Sequence, residues 1–201
     1  MKDLKDLKKL DEEENVTTVP TRPEITIDLF QETYSVSKEF VINIDHDLET
    51  PNYYRKAFDI LRNATCKDTI TVVLNTSGGY VDSAVEFFNL LLETAARTTA
   101  EVYTAYSAGS LIMFGCDEIK LQRFCSILIH SLSWDSVGKA DEIKTKSDFI
   151  EKLNRNLMTT VYQGFLTPKE IQEIMKGKDL WLQKSEIEKK LKNWVPIRER
   201  K

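Results

Sequence analysis

The segment from Ile70 to about Arg97 constrains the fold of this chain more than any other, because it combines three patterns in close succession. Residues 70–74, Ile-Thr-Val-Val-Leu, form a continuous run of the kind that is buried on both faces in a parallel sheet. The run ends in Asn75-Thr76-Ser77-Gly78-Gly79, a turn whose glycines permit positive φ and close backbone approach to a ligand. Apolar residues then recur at helical spacing from Val81 to Ala95, which predicts an amphipathic helix to about Arg97. A strand followed by a crossover helix predicts an α/β fold.

The same alternation continues along the chain. The patterns predict further strands at residues 40–44, 100–105 and 126–129, further helices at 52–62, 110–114, 140–162 and 168–177, and a loop at 131–139. Thr167, Pro168 and Glu170 suit the N-cap, N1 and N3 positions of the helix that they begin. This order of elements requires parallel strand pairing with right-handed crossovers. At 201 residues, with no repeat or long linker, the chain is expected to form one domain.

Composition and charge exclude several classes of function. A net charge of −4 and a pI near 5.4 leave no basic surface for nucleic acid, so we expect no nucleic-acid partner. No apolar run reaches the roughly 18 residues of a membrane span, and the charged N-terminus lacks the apolar stretch of a secretory signal. We therefore expect a soluble, cytoplasmic protein without a membrane partner. The three cysteines, Cys66, Cys116 and Cys125, have no metal-binding spacing and are predicted to be reduced core thiols.

Ser107 and His130 are the residues that most clearly indicate chemistry. Ser107 stands among small residues where a predicted strand meets a predicted helix, and His130 directly follows an apolar strand. A serine and a histidine so placed are what nucleophilic acyl transfer requires, which favours a serine hydrolase. Ser110 is the alternative nucleophile, although the Ser-x-Gly order favours Ser107. His46, the second of two histidines, lies between aspartates and is predicted to be a solvated turn residue.

Four motifs in a fixed order resemble the proteolytic subunit of the Clp protease, ClpP. The family's turn reads Asn-Ser-Pro-Gly-Gly, its nucleophile segment Ala-Ala-Ser-Met-Gly, its histidine follows an apolar triplet, and its aspartate begins Asp-x-Phe-Leu. The matching segments here are Asn75 to Gly79, Ala105 to Gly109, Ile127 to His130, and Asp179 to Leu182. The resemblance covers about residues 27 to 190. Each motif alone is weak, whereas four together are specific.

The resemblance implies a role for each matched residue. Ser107 would be the nucleophile, His130 the general base and later the acid, and Asp179 the carboxylate that orients the imidazole. Gly79 and Ala108 would supply the backbone N–H groups of the oxyanion hole, and Gly78 would contact substrate. From the residues alone, Asp135, Asp141 and Asp148 also follow His130 and stay open as alternatives to Asp179.

Several departures from the family pattern indicate a divergent member, for example one encoded by a virus, which would then act in the host cytoplasm. Ser77 replaces the proline of the turn, and Tyr106, whose bulk is expected to reshape the pocket, precedes the nucleophile. The spacing between serine and histidine is two residues shorter than in the commonest members. Only Gly138 stands in the segment 131–139, where the family has a glycine-rich strand that aligns substrate and joins rings.

The resemblance implies the ClpP/crotonase-like superhelix of repeated strand-strand-helix units, with a protruding handle helix at about 140–162. Residues 1–24 would be a mobile N-terminal arm, 25–195 a single protease domain and 196–201 a C-terminal tail. The implied function is a serine endopeptidase that acts on peptides or unfolded proteins, without a metal or cofactor. It would form a homo-oligomer of stacked rings, a tetradecamer in the family, and work with an AAA+ unfoldase that consumes ATP.

Three other functions remain open at this stage. The first is a capsid maturation or signal-peptide-peptidase-like protease, which often uses a lysine as base, and His130 at the family position argues against it. The second is a catalytically silent ring subunit or scaffold. The third is a crotonase-type acyl-CoA enzyme, which needs no serine nucleophile.

Overall fold

Six strands form one mixed sheet in which the spatial order follows the order along the chain. The computed structural model describes residues 27–30 and 37–200. The strands are β1 (Ile27–Phe30), β2 (Glu39–Ile44), β3 (Thr69–Thr76), β4 (Arg97–Tyr106), β5 (Glu118–Ile129) and β6 (Leu180–Gln183). The helices are α1 (Arg55–Asn63), α2 (Val81–Glu93), α3 (Ala108–Gly115), α4 (Ala140–Val161), α5 (Pro168–Met175) and α6 (Lys184–Leu191). Strands β2 to β5 are parallel, and β1 and β6 pair antiparallel at the two edges. The predicted α/β class with parallel strands is confirmed.

The central strands bury one face completely. In β3, Ile70, Val72 and Leu74 are fully buried, whereas Thr71 and Val73 are only half-buried. The prediction that this strand is buried on both faces was therefore wrong for one face. Helices α1, α2 and α3 cover the buried face, which is why those helices carry the long apolar stripes.

Three expectations from local pattern were wrong because tertiary contacts override them. Helix α2 ends at Glu93, since Arg97 already pairs with the start of β3. His46 is not a solvated turn residue, because its ring stacks on Tyr54, with centroids 6.1 Å apart. Cys66 is exposed and is not a core thiol, whereas Cys116 and Cys125 are buried as expected.

The chain leaves the sheet after His130 and returns to it at β6. Residues 130–139 are irregular, and α4 then runs over 22 residues, close to the predicted handle. The segment 131–139 forms no strand in the structure. Past the predicted domain boundary, Arg198 donates hydrogen bonds to the carbonyls of Thr94 and Ala96 at 2.8 and 3.0 Å, which attaches this end of the chain to the body. The predicted N-terminal arm, residues 1–24, lies outside the described residues.

Candidate active site

Ser107 forms the sharp turn between β4 and α3. Its backbone has φ 53° and ψ −123°, and among the described residues it alone combines a side chain with positive φ. Holding such a residue there costs about 1–3 kcal/mol, and this strain is typical of a nucleophile at a strand-to-helix turn. The Ser107 N–H donates to the Leu128 carbonyl at 2.9 Å, which ties the turn to β5. Gly109 permits close packing on β3, because a Cβ there would lie 2.6 Å from Thr76 Cγ2.

His130 lies directly after β5 and its ring reaches Ser107. The Nε2 atom of His130 and the Oγ atom of Ser107 are 2.7 Å apart, a short hydrogen bond. Both residues are half-buried, so a substrate can still reach them. The parallel pairing of β4 with β5 explains the contact, because both strands end at the same edge of the sheet. The structure thus brings together the two residues that the sequence predicted as nucleophile and base.

The turn after β3 packs tightly against the nucleophile. Gly78 has φ 100°, and a Cβ on it would lie 2.7 Å from Ser107 Cβ and 2.8 Å from the Tyr106 carbonyl oxygen. The Gly78 N–H donates to Thr76 Oγ1 at 3.1 Å, which stabilises the turn internally. Only glycine combines this backbone angle with this approach. The backbone of the glycine turn therefore lies directly against Ser107.

Two backbone N–H groups lie beside Ser107, one on Gly79 and one on Ala108. Neither forms a hydrogen bond within the turn or helix to which it belongs. Leu48 pairs with the groups on either side of Gly79, since its N–H donates to Gly78 O at 2.6 Å and its carbonyl accepts from Tyr80 N at 3.0 Å. This parallel bridge directs the Gly79 N–H away from Leu48. Ala108 is the first residue of α3, a position whose N–H has no partner inside the helix.

A small cavity of about 50 Å³ joins these groups. Its walls include Gly79, Ser107, Ala108 and His130, together with apolar side chains that are Val81, Leu111, Leu132, Leu157 and Met158. A larger cleft of about 530 Å³ adjoins it and shares Gly79 and Val81 on one side and Leu132 and Ser133 on the other. The arrangement offers a nucleophile, a base, two N–H donors and an apolar recess within one continuous depression.

Asp179 lies next to His130 in the sheet but does not bind it. Ile129 pairs with Leu180 across β5 and β6, so the next position in the register sets His130 opposite Asp179. Opposite residues in an antiparallel pair have Cβ atoms about 5 Å apart on the same face. The Asp179 side chain is exposed, and within residues 37–200 no hydrogen bond or ion pair reaches its carboxylate. Asp135, Asp141 and Asp148 are also exposed, and within residues 37–200 none of them forms a hydrogen bond or ion pair with His130.

Ser110, the alternative nucleophile, is completely buried in α3. Its hydroxyl donates to the Ser107 carbonyl at 2.7 Å and lies 2.6 Å from the Oη atom of Tyr162. A serine in this setting is closed to substrate. Tyr162 also lines the small cavity, and the sequence did not indicate it, because nothing in the local pattern at the end of α4 points to a residue 52 positions earlier.

Tyr106 does not occupy the pocket beside the nucleophile. Its hydroxyl hydrogen-bonds to Ser126 Oγ at 2.8 Å, and its ring packs edge-on against Trp181, with centroids 5.0 Å apart. Tyr106 is absent from the residues that line the small cavity. The expectation that its bulk reshapes the pocket was wrong, because alternation along β4 sends the side chain to the other face of the sheet.

Comparison with known proteins gives one family. The model of the family described as Clp protease matches residues 29–190, which is most of the chain. No curated protein matches the sequence at a significant level. The match confirms the resemblance seen in the four motifs, and the mixed α/β architecture agrees with the ClpP/crotonase-like fold.

Among the described residues no group of three or more His, Cys, Asp or Glu side chains is arranged to hold a metal ion. Every helix in that part of the chain is either too short or too polar to span a bilayer.

Proposed function

The chain belongs to the Clp protease family, and on this basis we propose that it is a serine endopeptidase, the proteolytic subunit of a self-compartmentalised Clp-type protease. Family membership itself indicates peptidase activity. The observation that carries the finer proposal is the 2.7 Å hydrogen bond between Ser107 Oγ and His130 Nε2, made by a serine in a strained turn. A hydroxyl is a poor nucleophile until a base takes its proton, and an imidazole at this distance is such a base.

The first half of the proposed reaction forms an acyl-enzyme. Ser107 Oγ attacks the carbonyl carbon of the scissile peptide while His130 Nε2 takes the hydroxyl proton. The carbonyl oxygen becomes an oxyanion, which accepts hydrogen bonds from the N–H groups of Gly79 and Ala108. Loss of one such donor typically costs roughly 3 to 4 kcal/mol of transition-state stabilisation. The intermediate then collapses, the C–N bond breaks, and the imidazolium gives its proton to the leaving amine.

The second half of the reaction releases the acyl group. His130 takes a proton from a water molecule, the resulting hydroxide attacks the ester carbon, and Ser107 leaves with the proton returned from the imidazolium. Asp179 is proposed to accept a hydrogen bond from Nδ1–H of His130 and so to fix the tautomer. That contact requires the exposed Asp179 side chain to turn toward the histidine that stands opposite it in the register.

The cleft beside the small cavity is proposed to hold the peptide. It runs between the Gly79 turn and residues 132–134, where an extended peptide would lie with its carbonyl over the two N–H donors. The side chain that precedes the cleaved bond would enter the small apolar recess formed in part by Leu111, Leu157 and Met158. The first residues of the loop are fixed in place, because Ser131 Oγ donates to the Ile174 carbonyl and Leu132 N donates to Asn154 Oδ1.

The assembly is proposed by analogy with the family. Many copies would enclose a chamber in stacked rings, in which small peptides are cut unaided and folded proteins are delivered by an AAA+ unfoldase. A tetradecamer and a cytoplasmic location complete this proposal. The small cavity supports a histidine base over a lysine base, because none of the residues that line it is a lysine.

Labelling with a fluorophosphonate probe, followed by peptide mapping, tests this function. We expect the probe to modify Ser107, because an activated serine attacks the phosphorus atom of the probe, as it would attack a carbonyl carbon, and fluoride leaves. Ser107→Ala should abolish labelling, and His130→Ala should reduce it at least a hundredfold. Ser185→Ala, an exposed serine on α6 remote from the site, is the matched control and should label as the wild type does.

Two outcomes contradict the proposal. Modification of a serine other than Ser107 would show that Ser107 is not the nucleophile. A properly assembled oligomer that neither labels nor hydrolyses peptides would instead favour the catalytically silent ring subunit.

A further inference from the structure

A directional chain of hydrogen bonds ends on the carbonyl of Ser107. That carbonyl accepts from the Ser110 N–H at 3.0 Å and from the Ser110 hydroxyl at 2.7 Å. The Ser110 hydroxyl has a single proton, which the Ser107 carbonyl receives, so the neighbouring Tyr162 hydroxyl at 2.6 Å must be the donor to Ser110. The order of donation is therefore Tyr162 to Ser110 to Ser107.

The Ser107 carbonyl shares its peptide unit with the Ala108 N–H. A trans peptide is planar, so its C=O and N–H point in opposite directions and rotate together. Two hydrogen bonds that fix the carbonyl on the buried side therefore fix the N–H on the cavity side. This matters because Ser107, with φ 53° and ψ −123°, is strained, and rotation of this peptide unit would change ψ toward the allowed left-handed region and relieve the strain.

We propose that Ser110 and Tyr162 are positioning residues that hold the Ala108 N–H in the oxyanion hole. This inference rests on the proposed serine endopeptidase function and adds to it two hydroxyl groups that lie behind the Ser107 peptide unit, away from the reacting atoms. An N–H group stabilises an oxyanion effectively only when it is oriented before the charge develops. An N–H group that can rotate away therefore stabilises the transition state much less. The Tyr162 hydroxyl acts through Ser110, whereas its ring, which also lines the small cavity, is retained in Tyr162→Phe.

The surroundings of Tyr162 suit this role. Its ring packs edge-on against Phe114 of α3, with centroids 5.2 Å apart, and its backbone carbonyl accepts from the N–H groups of Phe165 and Leu166 at 3.1 and 2.9 Å. Burial raises the pKa of the Tyr162 phenol, which keeps the hydroxyl protonated and able to donate. The C-terminal end of α4 is thereby connected to the Ser107 turn through the hydrogen bond between the Tyr162 and Ser110 hydroxyls.

The test compares Tyr162→Phe, Ser110→Ala and the double variant in steady-state hydrolysis of a fluorogenic peptide. Tyr162→Phe removes one oxygen atom from a packed site and should lower kcat by about three- to tenfold. Ser110→Ala removes the donor itself and should lower kcat by about ten- to a hundredfold. KM should stay within about twofold in each, because the ground-state carbonyl binds weakly to the hole. The double variant should match Ser110→Ala, since the Tyr162 hydroxyl reaches the Ser107 carbonyl only through Ser110.

Thr98→Val is the matched control. Thr98 is fully buried and its hydroxyl donates to Asp117 Oδ2 at 3.0 Å, at the opposite end of β4 from Ser107. Thr98→Val removes this hydrogen bond and the one that the hydroxyl accepts from the Asp117 N–H at 2.9 Å, so the variant should lose stability while kcat stays at the wild-type value. Tyr162→Phe carries the test if Ser110→Ala fails to fold.

The possible failures are distinguishable. If the wild-type protein neither labels at Ser107 nor hydrolyses peptides, the proposed function fails and this inference with it. If the wild-type protein is active and Tyr162→Phe has the same kcat, only the positioning role is wrong. A rise in KM at constant kcat, or losses that multiply in the double variant, would likewise overturn it.

Discussion

Ser107, the proposed nucleophile, has its backbone held where an unconstrained serine would not stay. Gly78 approaches it from the turn after β3, Gly109 lets the following helix pack closely, and Ser110 fixes its carbonyl. Each contact depends on a small or polar residue at one position, and together they hold the turn against a strain of about 1–3 kcal/mol. The hydroxyl is consequently presented to His130 rather than to solvent or to the helix.

Replacement of Asp179 tests the third member of the proposed triad at the same scale. If Asp179 orients His130, Asp179→Ala should lower kcat for a fluorogenic peptide by about 10²- to 10⁴-fold, because the imidazole then samples the wrong tautomer. KM should change little, since the carboxylate does not touch substrate. Asp135→Ala, an exposed carboxylate between His130 and α4, is the control and should keep the wild-type kcat. A wild-type kcat for Asp179→Ala would mean that His130 works without this carboxylate.

At the scale of elements, the unit formed by α5, β6 and α6 holds Asp179 in place. Thr167 and Glu170 form a capping box at the start of α5, as their spacing predicted. Glu170 also pairs with Lys190 of α6 at 2.5 Å, an ion pair about three-quarters buried. Burial raises the pKa of Glu170, but the hydrogen bonds from Lys190 and from Thr167 outweigh it and hold this pKa below its ordinary value. The ion pair therefore joins α5 and α6, the helices on either side of Asp179 and β6 along the chain.

Glu170→Gln should remove the pH-dependent part of this link. Glutamine still accepts the capping hydrogen bond, so the variant loses the charge and retains the cap. A carboxyl whose pKa is lowered by folding stabilises the protein above its unfolded pKa, near 4, and this stability disappears as pH falls through the lower folded value. Urea unfolding should show the variant about 1 kcal/mol less stable at pH 7, with the difference shrinking as the pH is lowered below the unfolded pKa of the carboxyl.

Glu186→Gln provides the matched comparison for the ion pair. Glu186 occupies the equivalent N3 position of the capping box of α6, and within the described residues it forms no ion pair. Its replacement should change stability by only a few tenths of a kcal/mol at either pH. Equal losses at Glu170 and Glu186 would show that the cap, and not the pairing with Lys190, accounts for the effect.

Local pattern predicted those parts of the fold and site in which neighbours along the chain decide the outcome. Strands β3, β4 and β5 and the turns that follow them have clear apolar, glycine and small-residue patterns, so the glycine turn, Ser107 and His130 could be placed from sequence. The Tyr162 contact could not, because 52 residues separate it from Ser110 and only the packing of α4 against α3 brings them together. The end of α2 was predicted wrongly for the same reason. Apolar residues continue at helical spacing past Glu93, but Arg97 already pairs with β3, so the helix ends before it.

At the scale of the whole molecule, α4 has a packed end and an unpacked end. Its buried residues are Asn154, Met158 and Val161, all in the C-terminal half near the active site. Toward the N-terminus the helix is largely exposed, including Phe149, which is 63 % exposed. A helix with few contacts to its own body gains stability from packing against something else. This agrees with the proposal of stacked rings, in which the handle helices of the two rings would interleave.

Shortening the exposed half of α4 tests that assembly. Deletion of residues 141–147 removes about two turns, roughly 10 Å of helix, and leaves the packed half in nearly the same rotation. Light scattering should then give about half the wild-type mass, as expected for single rings, with unchanged secondary structure by circular dichroism. Phe149→Asp should act in the same direction, because a carboxylate in a packed interface is strongly unfavourable, whereas Phe149→Leu keeps an apolar contact and should keep the mass. An unchanged mass in the deletion variant would show that the handle does not join the rings, and the exposed half of α4 would then need a different partner.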